Sequence, residues 1–135
     1  MNDSATLAVT IDLPWHEFYE AFWRPEAFPR WASGLSRSRL TRQGDRWRAQ
    51  GPDGTVLIRF SPYNAFGVMD HRVELASGAE VYIPLRVVAN GTRAEVMLTL
   101  FRPVGGAEAA FQRDIDWVRK DLLTLQALAE GEAER

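Results

Sequence analysis

A chain of 135 residues is close to the commonest size of one domain, and 46% hydrophobic residues are enough for a real core. With 16 basic and 18 acidic residues the formal net charge is -2, which argues against nucleic acid as the main partner, because phosphate binding rests on clustered Lys and Arg. There is no cysteine, so disulfides, thiolate metal sites, cysteine nucleophiles and redox switching are excluded together, and the composition fits a reducing cytoplasm.

Nothing resembles a linker, so one domain over 1–135 is expected. The first residues carry no basic region before their short, alternating apolar run, and no signal peptide is read there. No stretch approaches the roughly 20 apolar residues of a membrane span.

In chain order, residues 5–13 alternate, with Leu7, Val9, Ile11 and Leu13 against Thr6, Thr10 and Asp12, as in a half-buried strand. Pro14 suits the first turn of a helix over about 14–23, where Trp15, Phe18 and Phe22, with Tyr19 and Trp23, recur at helical spacing. Pro25 and Pro29 restrict the next segment to short turns carrying Phe28 and Trp31, expected to plug one end of the sheet or to gate a cavity. Strands are then expected over 36–42, 46–50, 55–61, 67–75, 80–89 and 92–102, separated by turn residues as in an antiparallel meander. A long helix over about 107–130 carries the apolar stripe Phe111, Ile115, Val118, Leu122, Leu125 and Ala129. Trp117 lies off that stripe and is expected at a sheet edge or against another subunit. Residues 131–135 are expected to fray.

About seven strands and one long helix make an α+β fold. A single antiparallel sheet needs one face covered. With one helix available, the sheet must curl around it, and the gap left between them is where a small molecule would bind.

Asn90-Gly91 reads as a two-residue type I′ turn, which needs positive φ at both positions. That register sets Arg86 opposite Glu95 and Leu85 opposite Val96, and it gives one face Val81, Ile83, Leu85, Val87, Ala94, Val96, Leu98 and Leu100. This face is assigned to the interior. On the strand before it, Met69, His71, Val73 and Leu75 take the inner face. Asp70, Arg86 and Glu95 then form an outer charge ladder, or, if the faces invert, a polar contact inside the cavity together with Tyr82.

Three segments carry a resemblance. They are Leu13-Pro14 with Pro25-Glu26-Ala27-Phe28-Pro29-Arg30-Trp31; Phe66-Gly67-Val68-Met69-Asp70-His71 with Val81-Tyr82-Ile83-Pro84-Leu85-Arg86-Val87 and Asn90-Gly91; and Leu98-Thr99-Leu100-Phe101-Arg102-Pro103 before the last helix. Over about 5–130 the chain resembles the START-like, Bet v 1-like (SRPBCC) superfamily, in its polyketide cyclase/dehydrase branch. The resemblance implies the helix-grip fold and its cavity. That superfamily holds lipid and hormone carriers, aromatic cyclases, hydroxylase domains and co-chaperones, so no catalytic signature and no cofactor carry over.

His71 is the main chemical candidate, a titratable ring on an otherwise apolar inner face. It could act as general acid or base in an enolisation or dehydration, orient a ligand carbonyl, or sit as a buried histidine satisfied locally. The expected ligand-binding set is Met69, His71, Val73, Ile83, Leu85, Val96, Leu98, Phe111, Ile115, Val118 and Leu122, with Phe28 and Trp31. No pair of inward carboxylates is placed. His16 reads as a surface residue, and two distant histidines with no third ligand and no HExxH spacing give no metal site. Arg37, Arg39, Arg42, Arg46 and Arg48 read as charges protecting a sheet edge. Three readings follow: a binding protein for a small apolar or aromatic molecule, a cyclase, dehydratase or isomerase using His71, and an interaction module or homodimer on an outer face with Tyr82, Met97 and Phe101.

Overall fold

The computed structural model describes residues 1–35, 39–51 and 53–133. The order is β1 (Ser4–Ile11), α1 (Trp15–Phe22), two short 3-10 turns (Pro25–Arg30 and Ser33–Leu35), β2 (Thr41–Gln43), β3 (Arg46–Gly51), β4 (Gly54–Phe60), β5 (His71–Glu74), β6 (Glu80–Ile83), β7 (Leu85–Asn90), β8 (Arg93–Phe101) and α2 (Glu108–Ala133). All pairings are antiparallel and form two curved sheets, β1-β8-β7 and β2-β3-β4-β5-β6. Part of the expected strand 36–42, with Arg37, lies outside the described residues. The rest is short: β2 begins at Thr41 and is an edge strand carrying Arg42, whereas Arg46 and Arg48 lie on β3, the strand inside it.

Two strands expected to be continuous are broken, and they break opposite each other. The run 80–89 divides at Pro84, and 67–75 divides at Asp70. Pro84 has no N–H, so it cannot donate to a ladder. Its neighbour Leu85 sends its N–H to the Asp70 carboxylate at 2.9 Å instead of to a backbone carbonyl. Beyond the break, Met69 N–H donates to the Leu85 carbonyl at 2.7 Å and Val87 N–H to the Gly67 carbonyl at 3.0 Å, so the two sheets run into one another there. Gly67 is required at this join: its φ is +70°, and an added Cβ would lie 2.3 Å from the Val87 carbonyl oxygen.

The β7–β8 turn is also corrected. Asn90 pairs with Arg93, leaving Gly91-Thr92 as the loop, and only Gly91 has positive φ, the requirement of a type II′ turn. The shift is two residues, so the faces survive: Leu85, Val87, Ala94, Val96 and Leu98 are all buried inside. The partners change. Arg86 faces Met97, while Glu95 faces Val88 and accepts a hydrogen bond from Thr10 Oγ1 at 2.6 Å. Glu95 therefore takes no part in an Asp70–Arg86 ladder.

The core is one cluster. Phe18, Tyr19 and Phe22 of α1 pack with Ile11, Leu85, Val87, Ala94 and Val96, and α2 adds Ile115, Leu122, Leu125 and Ala129 to the same cluster. Gln126 Nε2 donates to the Thr10 carbonyl at 2.8 Å, and Glu130 accepts from Asp12 N–H at 2.9 Å, fastening the end of α2 across β1. The helix continues through Gly131 to Ala133 instead of fraying at 131, and Glu132 is ion-paired with Arg30.

Candidate functional site

Between the larger sheet and α2 lies a cavity of about 350 Å³. Its sheet wall follows the period-two rule: Val56, Ile58 and Phe60 from β4, His71, Val73 and Leu75 at β5, Val81 and Ile83 from β6, and Leu98 and Leu100 from β8. Phe28, Trp31, Ala32, Gly34 and Leu35 close one end from the 3-10 turns, and Gly51 lies at the far end of β3. Opposite, α2 contributes Asp114, Trp117, Val118 and Asp121. These four are spaced by 3, 1 and 3 residues and so form one side of a helix.

That helical side is the main departure from expectation. Of the expected stripe, Ile115, Leu122, Leu125 and Ala129 are buried in the core, Phe111 packs partly against it, and only Val118 reaches the cavity wall. Met69, Leu85 and Val96 likewise belong to the core and not to the wall. Phe28, Trp31, His71, Val73, Ile83 and Leu98 line the cavity. Trp117, placed by its spacing at an edge or a subunit contact, lines the cavity and donates its Nε1 hydrogen to Ser33 Oγ. Two carboxylates, Asp114 and Asp121, also face it, where none was placed from sequence. β4 was expected as a strand over 55–61, but its residues were not expected in the wall, because no register information fixed its faces.

His71 sits between Phe28, whose ring centroid is 5.2 Å away, and Phe60, at 5.8 Å. Burial pushes its pKa down to about 4, with the Met69 carbonyl and the neighbouring Asp70 charge opposing it in part. Its Nδ1 lies 3.4 Å from the Met69 carbonyl oxygen, which can only accept, so this contact favours the neutral tautomer with its proton on Nδ1, in which Nε2 is an acceptor. At neutral pH the ring is uncharged. Burial also pushes the Asp121 carboxyl up, against hydrogen bonds from the Ser33 side chain and backbone N–H. Asp114 and Trp117 are exposed at the rim, while Asp121 is half-buried.

The other expected polar set lies outside the cavity. The Asp70 carboxylate accepts from Tyr82 OH at 2.7 Å, from Leu85 N–H, and from Arg86 Nη2 at 3.0 Å. Burial alone would raise its pKa, but these bonds outweigh burial and hold it below the ordinary carboxylate value. Arg86 is 52% exposed in this pair, so the cluster belongs to the outer face. There the Tyr82 ring stacks near Phe101, centroids 6.3 Å apart, and Arg72 lies over it at 4.3 Å. His16 is exposed. No helix of the described residues is long and apolar enough to cross a membrane, and they hold no group of three His, Cys, Asp or Glu able to bind a metal.

No family model matches the sequence, and no curated protein is similar to it. Solved structures are similar in fold. A protein of Nitrosospira multiformis superposes with a TM-score of 0.75 at 14% identity, over 98% of this chain and 100% of that one. BexL, a di-domain ARO/CYC protein of the BE-7585A biosynthetic pathway, gives 0.69 at 20% identity over 92% of this chain and 45% of its own. Ara h 8.0201 gives 0.65 at 12% identity over 96% of this chain and 98% of its own. The chain therefore has the START-like, Bet v 1-like helix-grip fold.

Proposed function

We propose that this protein binds a small, largely apolar or aromatic molecule in the cavity between the larger sheet and α2. The cavity carries the reading. At about 350 Å³ it falls at the lower end of the roughly 300–1,000 Å³ usual for small-molecule sites. Its wall is mainly aliphatic and aromatic, with a few polar groups converging on it, which is how such sites combine affinity with orientation. Leu75 and Val81 remain 39% and 37% exposed at its border, so an apolar guest would gain by covering them. The likeness in fold to BexL, an ARO/CYC protein of a biosynthetic pathway, is in keeping with a small-molecule guest.

The state of His71 favours binding over acid–base catalysis by a cyclase, dehydratase or isomerase. A ring with a pKa of about 4 is neutral at pH 7 and takes up a proton reluctantly. It is a poor general base and supplies almost no acid form there. Its Nε2 acceptor is better suited to orienting a hydroxyl or amine of the guest.

The test uses the neutral fluorescent probe N-phenyl-naphthylamine against wild type, Val73→Trp and Val56→Phe, the last two filling the cavity from adjacent strands. Saturable binding to wild type, lost in whichever variant keeps its circular-dichroism spectrum, is the expected result. No binding to wild type, or equal binding to a folded filled variant, would refute the proposal.

A further inference from the structure

We propose, resting on that binding reading, that the cavity selects a compact aromatic amine, held as its ammonium on Asp121, over a carboxylate of the same shape. The polar groups of the wall are unbalanced in sign and in hydrogen-bond sense. Among the described residues lining it there is no Lys or Arg, while Asp114 and Asp121 are both present. His71 brings no positive charge at neutral pH and leaves an acceptor at Nε2.

The donors of the wall are already engaged or covered. Trp117 Nε1 is used on Ser33. Trp31 Nε1 has no partner among the described residues, and the atom itself is buried rather than open to the cavity. Among the described residues, then, a guest that brings its own donors is met by acceptors and by negative charge, and an anion finds no cation.

Asp121 is the better of the two anchors. Asp114 lies two turns away along α2, about 10 Å by helical rise, on the exposed rim, where solvent screens it. Asp121 is half-buried beside Val118, and its burial makes an added positive charge worth more. Ser33 occupies part of its hydrogen-bonding capacity, and a carboxylate has about four lone-pair sites, so a donor can be added without displacing Ser33. The small volume points the same way, toward a compact ring system and away from a long acyl chain.

The experiment is calorimetric titration at neutral pH with three probes of one shape: naphthylmethylamine, naphthalenemethanol and naphthoate. The amine is expected to bind about tenfold or more tightly than naphthoate, with the alcohol between them. Asp121→Asn should weaken the amine about tenfold and leave the alcohol unchanged. Naphthoate binding as tightly as the amine overturns the inference, and so does an Asp121→Asn variant that weakens all three probes alike. Alcohol binding with no order by charge overturns the selectivity alone, whereas failure of all three probes removes the binding reading beneath it. Should Asp121→Asn not fold, the wild-type order decides.

Discussion

The half-buried His71, neutral at pH 7, makes stability depend on pH in a defined direction. Its pKa is about 4 in the folded chain against 6.5 when unfolded, so between these values the unfolded state binds more protons. Stability must then fall as the pH is lowered through this window. At 1.36 kcal/mol per pH unit of difference, the full loss is about 3 kcal/mol, and about 2 kcal/mol of it appears between pH 7 and pH 5. Asp70, held below its ordinary value, and Asp121, pushed up by burial, are shared by both proteins and shift in opposite directions, so the difference between the two curves isolates the histidine. Urea unfolding of wild type and His71→Phe at intervals across pH 7 to 5 measures the effect, with a constant m-value as the check on two-state behaviour. The variant should lose the pH-dependent loss while its ring fills the same space between Phe28 and Phe60. Parallel stability curves for the two proteins would refute both the burial of the ring and the argument that it is uncharged at the cavity.

Five further substitutions test the fold that positions the cavity, each read from the urea midpoint. Gly67→Ala should cost at least about 3 kcal/mol, since it adds a clash with the Val87 carbonyl to the strain of positive φ. Gly44→Ala, with φ of +66° and open space around it, should cost only about 1–2 kcal/mol. Asp70→Ala leaves the Leu85 N–H and the Tyr82 hydroxyl without their acceptor and should cost about 2–3 kcal/mol, against less than about 1 kcal/mol for the exposed Arg86→Ala. Equal losses at Asp70 and Arg86 would show that the ion pair, and not the replacement of a ladder bond at Pro84, is what Asp70 provides. Phe18→Ala, emptying a fully buried site stacked on Phe22, should cost about 3–5 kcal/mol.

The fold was legible where one physical rule acted alone. Period two in β1 and β8, helical spacing in α1 and α2 and the prolines at 14, 25 and 29 placed the elements within a few residues of their observed bounds. The sequence misled where a side chain substituted for backbone. Nothing local shows that Asp70 will accept the Leu85 N–H opposite Pro84, so two broken strands read as two whole ones. The turn after β7 failed for a similar reason. Asn90-Gly91 satisfies the type I′ composition, but Asn90 pairs with Arg93, and the glycine is the first loop residue instead of the second.

The cavity was less legible than the fold because periodicity reports burial and not which void a residue borders. On α2 the most apolar stripe is drawn into the core against β1, and the neighbouring, mixed side is left to face the cavity. A stripe calculation therefore selects Ile115 and Leu122, which bury themselves, over Asp114, Trp117 and Asp121, which do not. The trace that could have revealed this is an aromatic residue flanked at helical spacing by two acids, Asp114-x-x-Trp117-x-x-x-Asp121, on a helix already well supplied with core residues. A surface helix gains little from an exposed tryptophan, so an aromatic set beside the core stripe points to a second buried or half-buried surface. In this chain that surface is the cavity wall, and the acids that accompany the tryptophan give the wall its charge.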